Sequence, residues 1–432
     1  MNKLLILGFI ISTLASCIPI PPIVVQDKVK KEVNPFAHKK FVTRDFNYES
    51  TLKTVLLYPK GNTPTQALES SVMYLGQTAP LVLEFDDLSA KPSAFSAKLI
   101  HCNRDWTISS LNEIEFINDL NLFHFDAPKL SNNTHQKYYH YSFTIPPVKT
   151  SGNYLIKIFR KGQEKDLVLI RRFMVYEKKW EIKPSIIEKP NGEHLIQCKI
   201  HYGGVELTNP ENITVLIRQN QRWDNALLIQ KASTRDTKNK FISYQMTTRA
   251  FEGSNEFRRF DMSSFQFIGK RIYSTETLET GNIVTLETDK LRPQATYKKI
   301  MDFNGGYIVY DERGGNPQLK ADYAQVNFTL KCNELKDEVY VVGKFNNWQT
   351  TPKNRMNYNL ETRQYEAVLL LKQGVYDYMY ARKTEDGQIF YFDQLEGNHP
   401  KTNNQYEIFV YYRQSDSRND QMIGYTTFGS GS

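Results

Sequence analysis

Cysteine is scarce in this sequence, with four in 432 residues. Setting aside Cys17, which belongs to the N-terminal signal discussed below, Cys102, Cys198 and Cys332 remain. An odd number spread over three distant segments is not a disulfide framework. No Cys-x-x-Cys occurs, and no cysteine–histidine spacing of the kind that closes a zinc site. Buried free thiols fit the three residues, with room for one pair in an oxidising compartment. Long apolar runs are also missing. After the first residues no stretch of about 18 apolar residues exists, which excludes a transmembrane helix. There is no Gly-x-Ser-x-Gly elbow and no His-Glu-x-x-His, so no motif announces an enzyme or a cofactor. The net charge of +8 is spread without basic clusters or a docking motif. This argues against nucleic acid and for a solvated surface with some bias towards acidic partners.

What the sequence does have begins at the N-terminus. Met1-Asn2-Lys3 gives a positive start, Leu4–Leu14 is an apolar run too short to span a bilayer, and Leu14-Ala15-Ser16-Cys17 supplies small residues before a cysteine. This is the pattern of a secretory signal, and the cysteine makes it resemble a bacterial lipoprotein box, cleaved before Cys17 and acylated there. Residues 1–16 are then a signal peptide. Several acyl chains on Cys17 would hold the mature protein on a membrane surface. Residues 17–47 read as a flexible tether: Ile18-Pro19-Ile20-Pro21-Pro22 favours extended backbone, and the lysines that follow keep it solvated.

The body is rich in aromatics, with 26 Tyr and 25 Phe, and short runs alternate apolar with polar residues throughout. Period two, punctuated by turn residues, predicts half-buried antiparallel strands and an all-β fold. Three tandem immunoglobulin-like sandwiches are expected, at 48–178, 179–313 and 314–415, followed by a C-terminal tail at 416–432. In the first, strands are predicted at Thr54–Tyr58, Leu81–Phe85, Phe95–Cys102, Tyr138–Ile145, Tyr154–Arg160 and Val168–Tyr176. The second should hold Leu195–His201, Ile213–Arg218, Phe241–Met246, Phe265–Phe267, Ile283–Glu287 and Tyr307–Tyr310. The third should run from Tyr323–Leu330 to Gln405–Tyr412. Between strands, Ser109–Asp126 is a long segment rich in Leu, Ile and Phe, of the kind often used for binding.

The residue types that could carry chemistry are few. Glu84, Asp86 and Asp87 offer carboxylates, but alternation puts Asp87 on the opposite face, where it suits a turn cap. His101 and Cys102 are adjacent in one strand and point apart, so they form no dyad. Arg222-Trp223-Asp224 and Phe257-Arg258-Arg259-Phe260 combine arginines with aromatic rings. An internal Arg–Asp bond that fixes a loop would account for either, Asp261 following the second. A recognition surface for an acidic, partly apolar partner would account for both, since such residues dominate binding hot spots.

A resemblance rests on a series of short stretches. They are Phe85-Asp86-Asp87-Leu88, Ile100-His101-Cys102-Asn103-Arg104-Asp105-Trp106, Arg171-Arg172-Phe173-Met174-Val175, Arg222-Trp223-Asp224-Asn225-Ala226 and Gly253–Asp261. Asp322-Tyr323-Ala324, Leu369–Gly374, Leu395-Glu396-Gly397-Asn398-His399 and Phe409–Arg413 complete it. In this order they resemble the plug protein family of the type IX secretion system of Bacteroidetes-type bacteria. The resemblance implies a non-enzymatic periplasmic lipoprotein, held at the periplasmic face of the outer membrane. It would bind the outer-membrane translocon and close its channel at rest. Gly343–Trp348 also resembles early-set starch- and glycogen-binding modules, the basis of an alternative reading as a glycan-binding lipoprotein. Of that family's stacking platforms only Trp348 is present. Met379 stands where its lysine would be and Ile389 where its second tryptophan would be, so carbohydrate is disfavoured.

Overall fold

The computed structural model of the protein describes residues 35–203, 207, 209–247, 249–293, 296–391 and 394–430. The expected signal peptide, Cys17 and most of the tether lie outside the described residues. The chain divides at His38/Lys39. Of the first unit only a turn at 35–38 is described; the second carries everything that follows.

Among the described residues the fold is all-β, in six sheets that face one another in three pairs. The first sandwich sets the sheet of Phe46–Asn47, Val72–Tyr74, Phe95–Cys102, Phe123–His124, Gly152–Arg160 and Gln163–Tyr176 against that of Leu52–Pro59, Leu81–Asp87, Lys129–Leu130 and Tyr139–Thr144. Its core interleaves Leu83 and Phe85 with Ile156, Ile158 and Phe173.

The second sandwich shows how the sequence pattern sets the layers. Glu193–His201 alternates cleanly: His194, Ile196, Cys198 and Ile200 turn inward while Lys199 faces water. By contrast Ile213–Gln219 is buried along its whole length, its polar Thr214, Arg218 and Gln219 included. Its Ile213, Val215 and Ile217 fill the second sandwich, and Leu216 packs against the first.

The sheets cross the expected boundaries in two places. Gln405–Tyr412 does not close the third sandwich. It pairs with Ile213–Gln219, in register Ile213↔Tyr412 to Gln219↔Tyr406, and on its other edge with Gln421–Gly429. The expected tail at 416–432 therefore contains an edge strand of the second sandwich. In the other direction, Arg258–Asp261 and Tyr307–Val309 pair with Gly374–Lys383, and Gly281–Leu286 pairs in parallel with Tyr323–Lys331. Most of 258–309 thus builds the third sandwich. Alternation reports that a strand is half-buried; it carries no information on which distant strand it joins. The predicted strand at Phe265–Phe267 is absent because Ser264 Oγ accepts from the amides of Gln266 (3.2 Å) and Phe267 (3.3 Å), turning the chain locally.

One glycine is dictated by close approach. Gly374 links Gln364–Lys372 to Gly374–Lys383, and a Cβ there would lie 2.0 Å from the Ile308 carbonyl oxygen. No helix among the described residues is long and apolar enough to cross a membrane.

Candidate functional site

The residues singled out above converge on the junctions between sandwiches. Where the first meets the second, Val72, Cys102, Trp106, Leu155 and Ile170 pack on Leu216, Phe409, Tyr411 and Met422. The Trp106 and Trp223 rings meet edge to face at 5.0 Å. Arg172 lies over both, 4.3 Å from Trp106 and 5.0 Å from Trp223, and Arg218 covers Trp223 at 4.4 Å. Such cation–π contacts are worth about 2 kcal/mol or more when desolvated. Arg218 is in turn fixed by Glu407, Nε to Oε2 at 2.6 Å. Polar contacts flank the apolar patch: Tyr411 donates to Asn153 Oδ1 at 2.7 Å, and Asp420 binds Arg104 and Arg413.

Where the first sandwich meets the third, the chemistry is ionic. Asp86, only 1% exposed, accepts from Lys372 Nζ (2.6 Å) and Tyr323 Oη (2.7 Å). His140 bridges Asp86 through Nδ1 (2.8 Å) and Glu84 through Nε2 (3.6 Å). Burial works to raise the Asp86 carboxyl, but Lys372 and His140 outweigh it and hold it below the usual carboxylate range. Burial likewise works against a charged His140, and its two acidic partners outweigh that, raising its pKa. Asp87 takes the turn-capping place expected for it, accepting from the Ser89 amide at 3.0 Å.

The expected recognition residues lie inside the molecule, Arg222 where the second sandwich meets the third and Arg258–Phe260 within the third. Arg222 is 1% exposed, paired with Asp224. Its guanidinium lies 4.5 Å over Trp348 and 3.9 Å over Tyr391. Arg258 binds Asp289 (2.7 Å) and Glu396 (3.0 Å). Arg259 binds Asp377 (2.7 Å) and stacks 3.5 Å over Phe303. Phe257 and Phe260 are buried. Charged side chains this deep must be paired, and these arginines spend their donors on internal acids and rings. Only Asp224 of the set is exposed. The expected recognition surface at Arg222, Trp223, Asp224, Phe257, Arg258, Arg259 and Phe260 is therefore corrected to internal scaffolding.

Trp348 is not a sugar platform either. Its ring is buried between Arg222, Phe257 and Tyr391, and it fills the space a Cβ on Gly305 would occupy, 2.4 Å away. Met379 belongs to the same buried cluster. Two tryptophans at junctions, Trp106 (φ 67°) and Trp348 (φ 59°), hold left-handed backbone. For a bulky residue this costs about 1–3 kcal/mol and persists only where the surroundings over-determine it.

His101 and Cys102 point apart as expected. His101 contacts Ser109 Oγ (2.9 Å) and the Ser151 carbonyl (3.2 Å), and burial lowers its pKa to about 4. Burial in the junction raises the Cys102 thiol to about 12, far from a nucleophile's range. Cys102, Cys198 and Cys332 are all free. No group of three or more His, Cys, Asp or Glu among the described residues could hold a metal ion.

What does remain on the surface is the segment Ser109–Asp126. A capping box at Asn112, whose amide donates to Glu115 (2.7 Å), starts the short helix Glu113–Phe116. Phe116 and Ile117 anchor it in the core, and Asn121 exchanges two hydrogen bonds with the Leu99 backbone (2.9 and 2.8 Å). So fixed, it presents Ile114 (74% exposed) and Leu120 (76%) to solvent.

Residues 52–177 match the family model described as "Type 9 secretion system plug protein 1st domain". The match runs from the strand Leu52–Pro59 to the strand Gln163–Tyr176. No curated protein sequence matches the chain. Among solved structures, a hypothetical protein from Parabacteroides merdae ATCC 43184 is similar. It is 28% identical, with a TM-score of 0.84 over 90% of this chain and 100% of that one. The BSP domain of a biofilm-associated protein is 10% identical over 90% of this chain and 83% of that one. Its TM-score of 0.14 carries no argument.

Proposed function

We propose, from the match of residues 52–177 to the first domain of the type 9 secretion system plug protein, that the chain belongs to that family and is a non-enzymatic plug. It binds the periplasmic end of an outer-membrane translocon and occludes the channel when no substrate is passing. The family match is the observation that carries this reading. Its location follows as periplasmic and outer-membrane-associated, and the lipid anchor on Cys17 is part of the proposal. Occlusion asks for a body that keeps its shape. The third sandwich is inserted between strands of the second, Phe251–Glu252 and Gln405–Tyr412, so two chain crossings tie them together, which supports this. A reversible contact asks for a moderate interface with an apolar centre and a polar rim. The Ser109–Asp126 segment, with Ile114 and Leu120 exposed on a fixed backbone, is the proposed contact.

The experiment is co-purification of the translocon with the tagged chain from detergent-solubilised outer membranes. Wild type should retain the translocon, and Ile114→Asp with Leu120→Asp should lose it without a change in melting temperature. Absence of the translocon from the wild-type pull-down would sink the plug reading. Deletion of the protein should make the outer membrane permeable to large dyes. Metabolic labelling with palmitate should mark wild type and not Cys17→Ala.

A further inference from the structure

A cleft of about 600 Å³ opens where the three sandwiches meet. Its charged lining is unbalanced: Arg44, Arg171, Arg172, Arg218 and Lys344 against Asp45 and Asp224. Two of these charges are settled elsewhere, Arg218 on Glu407 and Asp224 on Arg222. Asp45 spends one oxygen on the Arg172 amide (2.8 Å). That leaves the exposed Arg44 and the recessed Arg171, Arg172 and Lys344 with no carboxylate in ion-pair range among the described residues.

The partners of the recessed three are neutral. Arg172 Nε and Nη2 donate to the Thr43 carbonyl (2.9 and 2.5 Å). Arg171, itself 5% exposed, donates to the carbonyls of Ile170 (2.8 Å) and Phe46 (3.4 Å) and to Asn47 Oδ1 (2.5 Å). Lys344 Nζ donates to Gln221 Oε1 (2.9 Å) and the Ala67 carbonyl (3.1 Å). Desolvated cations without a counter-charge are costly, and these show the strain. Burial pulls Arg172 down to about 10 and Lys344 to about 8, and lowers Arg171 as well. Neither Arg172 Nη1 nor Arg171 Nε makes a hydrogen bond among the described residues.

We infer that this cleft is a binding site for an extended acidic peptide segment, whose carboxylates pair with Arg171, Arg172 and Lys344. Main-chain carbonyls are what these side chains already hold, Thr43 on Arg172 and Phe46 on Arg171. The remaining polar lining combines the amides of Asn220, Gln221, Asn347 and Gln349 with the hydroxyls of Ser71, Thr350, Thr351 and Tyr391, group types that meet a peptide's own N–H and C=O groups. The volume suits a ligand of a few residues. A lipid headgroup would have to leave its membrane to reach Arg171, which is recessed between folded sandwiches. The inference is independent of pore closure and does not need the plug reading to hold.

The test is a calorimetric titration of the full-length mature chain with acetyl-Glu-Glu-Glu-amide, acetyl-Gln-Gln-Gln-amide and inorganic phosphate. The glutamate peptide should bind at least about tenfold more tightly than the glutamine peptide, the scale of one hydrogen bond to a charged group. Arg172→Gln and Lys344→Gln should each erase most of that difference, and Lys91→Gln, on an exposed turn, should not. Should Arg172→Gln fail to fold, Lys344→Gln carries the same comparison. Equal affinity for the two peptides, indifference to both charge variants, or phosphate binding as tightly as the glutamate peptide would each overturn the proposal.

Discussion

The first sandwich holds its two neighbours by opposite means. Against the second it uses an apolar patch, Leu155, Ile170, Phe409 and Met422, with arginines stacked on Trp106 and Trp223. Against the third it uses buried charge, Asp86 with Lys372, His140 and Tyr323. Apolar burial is non-directional and tolerates small shifts of one surface over the other. A buried ion pair contributes little net stability but penalises any arrangement that leaves a charge unpaired. The apolar junction therefore supplies adhesion, and the ionic junction fixes the angle between bodies.

The sharpest way to break this comparison is Lys372→Met. It strands Asp86 in a site where both residues are 1% exposed or less, and a stranded buried charge costs about 3–5 kcal/mol. Chemical denaturation should show that loss, and adding Asp86→Asn should recover much of it. If the single variant unfolds like wild type, the ionic junction does not fix anything. Next comes Phe409→Ala in the apolar junction, expected to cost about 3 kcal/mol from lost burial and the cavity left behind. Here no second substitution of a polar partner should restore stability. A compensating charge change that did so would mean the two junctions are alike.

A pair of matched deletions refines the contrast. Tyr323→Phe removes a hydroxyl donating to the Asp86 carboxylate, and Tyr411→Phe removes one donating to the neutral Asn153 amide oxygen. The first should cost about 1.5–3 kcal/mol and the second about 1 kcal/mol, the usual ratio for charged and neutral acceptors. Equal losses would erase the distinction.

Much of this architecture was legible beforehand. Phe95–Cys102 and Gln405–Tyr412 were readable to the residue, because alternation and turn residues are local. The partner of Gln405–Tyr412 was not, since pairing with Ile213–Gln219 is settled by packing about the whole body. Gln421–Gly429 was missed for a related reason: its Gly424, Thr426 and Thr427 dilute the apolar pattern, and its pairing with Gln405–Tyr412 makes it a strand. At Arg222 and Arg258 the sequence left two readings open, an internal bond and a contact surface. Arginine beside aromatic rings is the composition of a contact surface and equally of a buried cation–π stack. Only the positions of Trp348, Tyr391, Glu396 and Asp289, all distant in sequence, decide between them. One signal was available: the stretches that carried the family resemblance nearly all contribute a residue to a junction.

The smallest effect expected is a tilt with pH, and it belongs to the ionic junction alone. His140 has its pKa raised in the folded state by Asp86 and Glu84. Its contribution is therefore complete below the ordinary histidine value near 6.5 and is lost as pH rises through the higher folded value. A tenfold change in proton affinity is worth about 1.4 kcal/mol, which is the scale against which the tilt is read. Asp302 acts with the same sign, because burial and its neighbour Asp377 raise it to about 8, and wild type alone would not separate the two. The readout is the difference between wild type and His140→Gln, followed by denaturant midpoint from pH 5.5 to 9. The gap should be widest at the acid end and narrow towards the basic end. Phe409→Ala should run parallel to wild type across the same range, since no histidine or carboxylate with a raised pKa contacts that patch. A constant gap for His140→Gln would mean that its charge plays no part in setting the junction.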